Sequence, residues 1–162
     1  MKKNNVLNFK LRIFQSETFV ITDYWKYDDG HTGNPIWDNQ YNVTLTRGTE
    51  DTFIENTTSA NGSVRIDGFD GDYCIEFDFK SNGGCYPTFR QDSSQVGRLY
   101  WSSYEDNNYH TIRINVNGNT VTGTIDNTPF DTQTLIGVWN RFYISVSSNS
   151  SITYRNFKVY LI

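Results

Sequence analysis

Apolar side chains recur at every second position along most of this chain, the spacing of half-buried strands rather than of helices. Leu7, Phe9, Leu11 and Ile13 alternate with polar neighbours. Tyr73, Ile75, Phe77 and Phe79 do the same against Cys74, Glu76, Asp78 and Lys80. His110, Ile112, Ile114 and Val116 share a face, and Val121, Gly123 and Ile125 follow after the turn at 117–119. Phe142, Ile144 and Val146 form another alternating set, which Trp139 leads into as a core residue. The last segment slips phase: Ile152 and Tyr154 fall on even positions, Phe157, Val159 and Leu161 on odd ones. A bulge near Arg155–Asn156 would put both sets on one face, because one extra residue reverses the facing.

Turn residues punctuate these runs at Asn61-Gly62, Asp67-Gly68, Asp70-Gly71, Asn82-Gly83-Gly84 and Asn117-Gly118. Short strands at such spacing predict an all-β fold, a two-sheet antiparallel β-sandwich. The 162 residues fit a single domain, residues 1–162, with an N-terminal arm or strands at 1–21. Two stretches lack periodicity: a long aromatic loop at 22–40, carrying Trp25, Tyr27 and Trp37, and a segment at 92–109, carrying Tyr100, Trp101 and Tyr104. Long irregular loops are uncommon and often functional.

Composition sharpens this picture. Aromatic residues make up 16% of the chain and charged residues only 20%. Few but large side chains can fill a sandwich core, since each buried aromatic removes roughly 150–250 Å² from water. The net charge of −4 argues against nucleic acid and anionic membranes as partners, because both are held by Lys and Arg. No run of about 18 apolar residues is present, so membrane insertion by a helix is not expected. The first residues, MKKNNVLNFKLRIFQ, contain no apolar stretch of signal-peptide type, and no secretory leader is expected.

Cys74 and Cys85 bracket what reads as a hairpin centred near Asn82-Gly83. In that register Lys80 faces Cys85 and Cys74 lies roughly 20 Å further along, beyond disulfide reach. Two free thiols are expected, which suits assembly inside a cell.

The C-terminal segments HTIRINVNGNTVTGTIDNTPF and GVWNRFYISVSSNSSITYRNFKVYLI resemble the concanavalin A-like lectin/glucanase superfamily. The shared pattern is a strand, a tight turn, a strand ending in an Asp-Asn corner, an aromatic strand and a closing strand of the form YRNFKVY. It covers about the last 95 residues, from Tyr73 onward. The resemblance implies a jelly roll of the kind found in laminin-G-like, carbohydrate-binding and phage virion or tail modules.

Candidate chemistry follows. Laminarinase-type members of that superfamily carry Glu-x-Asp-x-x-Glu, and retaining hydrolysis needs two carboxyls about 5–5.5 Å apart. Here Glu76 and Asp78 are present, but the second Glu position is Ser81. The expected reading is a solvated sheet face with an ion pair to Lys80, and no catalytic residue is assigned. Two histidines, His31 and His110, and no Gly-x-Ser-x-Gly elbow argue against nucleophilic catalysis. Asp67, Asp70 and Asp72 could supply oxygens to Ca²⁺, although Asp-Gly pairs are also ordinary turn formers.

The binding candidates are the loop aromatics Trp25, Tyr27, Trp37, Tyr100, Trp101 and Tyr104, with Arg90 and Arg98 beside them. Trp and Tyr faces suit sugar rings, and Trp, Tyr and Arg also anchor protein interfaces. The expected function is therefore non-enzymatic attachment by a virion-surface protein that recognises glycans, with glycans, neighbouring subunits or further copies of itself as partners. The alternatives are a secreted or cell-surface carbohydrate-binding module and a weak glycoside hydrolase using Glu76.

Overall fold

A computed structural model describes residues 39–48, 51–67, 69 and 71–162. The N-terminal arm at 1–21, nearly all of the loop at 22–40, and its Trp25, Tyr27 and Trp37 lie outside the described residues, as does Asp70.

Two antiparallel sheets face each other. One contains β1 (Asn39–Tyr41), β4 (Gly62–Asp67), β11 (Arg141–Val146), β6 (Cys85–Gln91) and β7 (Ser94–Arg98), in that spatial order. The other runs β10 (Thr128–Thr134), β9 (Thr120–Ile125), β8 (His110–Asn117), β5 (Tyr73–Ser81), β12 (Ser150–Leu161), β3 (Asp51–Asn56) and β2 (Thr44–Arg47). Among the described residues the only helical element is a short 3-10 turn, Ser102–Tyr104. The all-β sandwich expected from the alternation is the observed architecture.

The core is a stack of rings between the sheets. Phe77 stacks on Phe157 at 5.2 Å, Phe79 on Trp101 at 4.3 Å, and Phe69 on Trp139 at 4.4 Å. Tyr73, Ile75, Phe77 and Phe79 enter it from β5, and Ile112, Ile114 and Val116 from β8. Trp139 is buried as expected.

The final strand contains the predicted bulge. Arg155 pairs with Asp78 and Lys158 with Glu76, three steps on β12 against two on β5. Asn156 takes φ 53°, a left-handed conformation that Asn tolerates better than most residues. Tyr154 and Phe157 both reach the core as a result.

The hairpin expected around Asn82-Gly83 is not formed. β5 and β6 belong to opposite sheets, so residues 82–84 carry the chain from one layer to the other. Lys80 pairs with Thr153 rather than facing Cys85, and Cys85 pairs with Val146. A tight turn specifies a reversal, but the packing of the following strand decides which layer it joins. Both thiols are buried and unbridged. Burial pushes the Cys85 thiol up to about 12 and raises that of Cys74.

Asn56 clasps the layers together. Its side-chain amide donates to the Val146 carbonyl of the opposite sheet at 3.0 Å and to the Ala60 carbonyl at 2.8 Å. Its Oδ1 accepts the backbone N–H and the hydroxyl of Thr58. Asn56→Ala leaves buried partners unmet and should lower stability by roughly 2–3 kcal/mol, measured by urea unfolding.

His110 holds the segment before β8 against the β9–β10 turn. Its Nδ1 lies 2.7 Å from Asp126 Oδ2 and its Nε2 3.0 Å from Asp106 Oδ1. Burial disfavours the imidazolium, but hydrogen bonds and charge from Asp126 and Asp106 outweigh it and raise the pKa above 6.5. Hydrogen bonds from Asn108, with His110 adding to them, hold Asp106 down at about 2. The His110 contribution is complete below 6.5 and is lost as pH rises through its raised folded value. That of Asp106 is complete above 3.8 and is lost as pH falls through about 2. An NMR titration should find His110 above 6.5, moving toward the ordinary value in Asp126→Asn.

Candidate functional site: a tyrosine and arginine groove on the five-stranded sheet

The outward side chains of the five-stranded sheet fall into three rows set by strand register. Tyr41, Ser63, Ser145 and Tyr86 form the first. Arg65, Tyr143, Thr88 and Arg98 form the second, and Asp67, Arg141, Arg90 and Gln95 the third. Small residues occupy the central strands of the first row and large ones its ends. Sheet strands lie about 4.8 Å apart, so Tyr41 and Tyr86 stand roughly 14 Å from one another across the hydroxyl floor. The outcome is a groove of about 440 Å³.

Its β6–β7 side is built from stacked cations. The Arg90 guanidinium lies 4.7 Å from the centre of the Tyr143 ring. That of Arg98 lies 4.9 Å from Tyr86 and 4.3 Å from Tyr100. Beneath them Thr88 Oγ1 and Ser145 Oγ share a hydrogen bond of 3.0 Å. Stacking leaves the guanidinium edges, with their N–H donors, available to a ligand.

β7 reaches this face through a second bulge. Gly97 pairs with Phe89 and Gln95 with Arg90, leaving Val96 as the extra residue. Gln95 and Arg98 consequently both face outward, while Val96 is buried. Gly97 suits the close approach here, because a Cβ would meet the end of the Leu135 side chain and force it to shift. The same bulge hides β7 within the stretch 92–109, because it breaks the period inside a five-residue strand, while 99–109 is loop and a 3-10 turn. A shallower hollow of about 270 Å³ adjoins the groove, lined by Tyr100, Gln133 and Ile136 and sharing Gln95 and Arg98 with it.

Of the residues singled out from sequence, Arg90 and Arg98 line the groove, and Tyr100, 51% exposed, lines the adjoining hollow and stacks against Arg98. Trp101 requires correction as a ligand-binding residue. It is 2% exposed and stacked on Phe79 inside the core, since a large ring beside the sandwich opening gains more by burial than by exposure. Tyr104 stands outside the groove: it is partly buried against the core and packs edge-on to His110 at 5.1 Å. Tyr41, Tyr86, Tyr143 and Arg65 line the groove without standing out in the sequence. Tyr86 and Arg90 do alternate in CYPTFRQ, and Tyr143 alternates with the core residues of β11, so their signal is that of outward positions on strands.

The opposite face carries Glu76 and Asp78. Glu76 Oε1 is 3.1 Å from Lys158 Nζ, and Arg113 lies 3.9 Å from its other oxygen. Asp78 accepts from Thr111 at 2.7 Å, Asn156 at 2.7 Å and Arg155 at 3.3 Å. Their cationic neighbours are thus Lys158, Arg113 and Arg155 rather than the expected Lys80, which sits over the Tyr109 ring. Ser81, at the second Glu position, is buried and bonds to Gly83 O.

Asp67 lies 2.8 Å from Arg65 Nε, and Asp72 accepts the Gly118 N–H at 2.6 Å. Among the described residues no group of three or more His, Cys, Asp or Glu side chains is placed to hold a metal ion, and no helix is long and apolar enough to cross a membrane.

No family model and no curated protein matches this chain. Among solved structures it resembles a mutant of the family 29 carbohydrate-binding module CBM29-2 complexed with cellulohexaose. The TM-score is 0.56 and the identity 17%, over 89% of each chain. It also resembles the Bacillus licheniformis beta-glucanase, with TM-score 0.54 and 13% identity, over 91% of this chain and 100% of that one. A sialidase matches with TM-score 0.57 and 9% identity over 77% of this chain, which corresponds to 16% of the sialidase. The fold is the concanavalin A-like jelly roll.

The two aromatic environments should separate in stability. Trp101→Ala empties a core position and should cost roughly 3–5 kcal/mol. Tyr41→Ala, at a ring that is 62% exposed, should change stability by no more than about 0.5 kcal/mol. Thermal or urea unfolding distinguishes them.

Proposed function

We propose that this chain is a non-catalytic glycan-binding module that serves attachment, and that it binds sugars in the groove over the five-stranded sheet. The observation that carries this reading is the groove itself: tyrosines at its sides, Ser63 and Ser145 along its floor, and guanidinium edges at one wall. Ring faces suit the C–H faces of sugars, while hydroxyl and N–H groups suit their hydroxyls. Mutants of CBM29-2, which has the same fold, are described in complex with cellulohexaose and with mannohexaose, which supports an oligosaccharide as ligand. Catalysis is disfavoured because Glu76 and Asp78 are tied up in ion pairs and Ser81 stands where the second acid would be.

The setting we favour is a virion surface, with a secreted or cell-surface module as the alternative. Docking onto neighbouring subunits is a second role, favoured by Ile136 and Val138, which are 91% and 68% exposed in the segment between β10 and β11.

A glycan array on the full chain should show selective binding. Tyr86→Ala and Tyr41→Ala should each weaken it about tenfold, the equivalent of roughly 1.4 kcal/mol, while Glu76→Gln leaves it intact. Absence of binding to any glycan, with stable self-association abolished by Ile136→Ser, would replace this reading by the structural one. Polysaccharide turnover lost in Glu76→Gln would refute the non-catalytic assignment.

A further inference from the structure

The groove is cationic in an acidic protein. The chain carries a net charge of −4, yet among the described residues Arg65, Arg90 and Arg98 line the groove and no Asp or Glu does. Arg65 is partly neutralised by Asp67 at 2.8 Å. The other two differ: no carboxylate pairs with Arg90 or Arg98 among the described residues, and their partners there are tyrosine rings. Their Nε atoms are buried, and no acceptor among the described residues reaches them.

With the Nε atoms covered, the N–H donors a ligand in the groove can reach are those at the outer guanidinium edges, and hydrogen bonds from a charged donor to an anion are among the stronger ones. Stacking on Tyr143, Tyr86 and Tyr100 restrains the two guanidinium planes, which lowers the entropy lost on engaging a planar anion through paired N–H donors. Neutral hydroxyls would meet these donors with weaker, uncharged bonds.

We infer that the ligand is an acidic glycan, one bearing carboxylate or sulfate groups, and that Arg90 and Arg98 are the residues that select for it. This rests on the glycan-binding reading above and specifies its substrate class. Arg98 bridges the groove and the adjoining hollow, so an anionic group beside Arg98 would sit where the two meet. The sugar ring that bears it would then lie along the tyrosines.

The test uses the full chain and five probes in calorimetry: oligogalacturonate as the free acid, the same oligomer as its methyl ester, a sulfated carrageenan oligosaccharide, cellohexaose, and a single-stranded oligonucleotide. Binding of the free acid or the sulfated oligomer, at least about tenfold tighter than the methyl ester and cellohexaose and weakening with salt, supports the inference. The sulfated arm separates sulfate from carboxylate preference. Arg98→Gln and Arg90→Gln should each remove most of that preference. The comparison of acid with ester on the unsubstituted protein stands even if a variant fails to fold. Equal binding of acid and ester, or binding of cellohexaose alone, overturns the acidic-ligand inference and leaves the glycan reading in place. Binding of no glycan, or preference for the oligonucleotide, overturns both.

Discussion

The pleat of a strand sends successive side chains to opposite faces, and everything on the surface of this molecule is subject to what that rule requires in the core. Val64 and Ile66 must enter the sandwich from β4, so Ser63, Arg65 and Asp67 must leave it. Phe142, Ile144 and Val146 do the same on β11 and turn Tyr143 and Ser145 outward. The groove is therefore the outer print of an inner packing pattern. Where the rule would place a side chain badly, a bulge re-phases the strand. Asn156 keeps Tyr154 and Phe157 on the same side, and Val96 lets Gln95 and Arg98 share one face.

The two outer faces then differ in charge logic. On the seven-stranded sheet, acids and bases meet each other, Glu76 with Lys158 and Asp78 with Arg155, and the Asn156 amide donates to Asp78 as well. Their needs are met locally, which leaves little to offer a ligand. On the five-stranded sheet Arg65 and Arg141 meet Asp67, but Arg90 and Arg98 meet rings instead of carboxylates. A guanidinium held over an aromatic face keeps its charge and its edge donors, so the surface retains unused capacity for hydrogen bonding. Short hydroxyl side chains between the tyrosines provide the depth that a flat sheet would lack.

The groove chemistry sits mostly on regular strands, whereas the sequence points to irregular segments. Trp101 stands among polar residues, which suggests exposure, yet the opening between the sheets receives it onto Phe79. Tyr86 and Tyr143 stand beside core residues on strands, which suggests nothing, yet they line the groove. Arg90, Arg98 and Tyr100 are legible as candidates because they lie in or beside the irregular segment, and β7 pairs with β6 at that point.

Side-chain alternation, Asn and Gly turns and the phase slip at Arg155–Asn156 are local properties, set by backbone geometry over a few residues. The all-β class, the final bulge and the inward faces of β5, β8, β9, β11 and β12 are therefore legible in the chain alone. Which layer each strand joins is not local. Residues 82–84 have the composition of a hairpin turn, and only the packing of Phe89 and Cys85 against the opposite layer sends β6 across. The groove depends on that choice, because it unites residues from β1, β4, β6, β7 and β11, distant in sequence and adjacent only through register. Strand order is decided by burial summed over the whole sandwich, and no short stretch of sequence carries that sum.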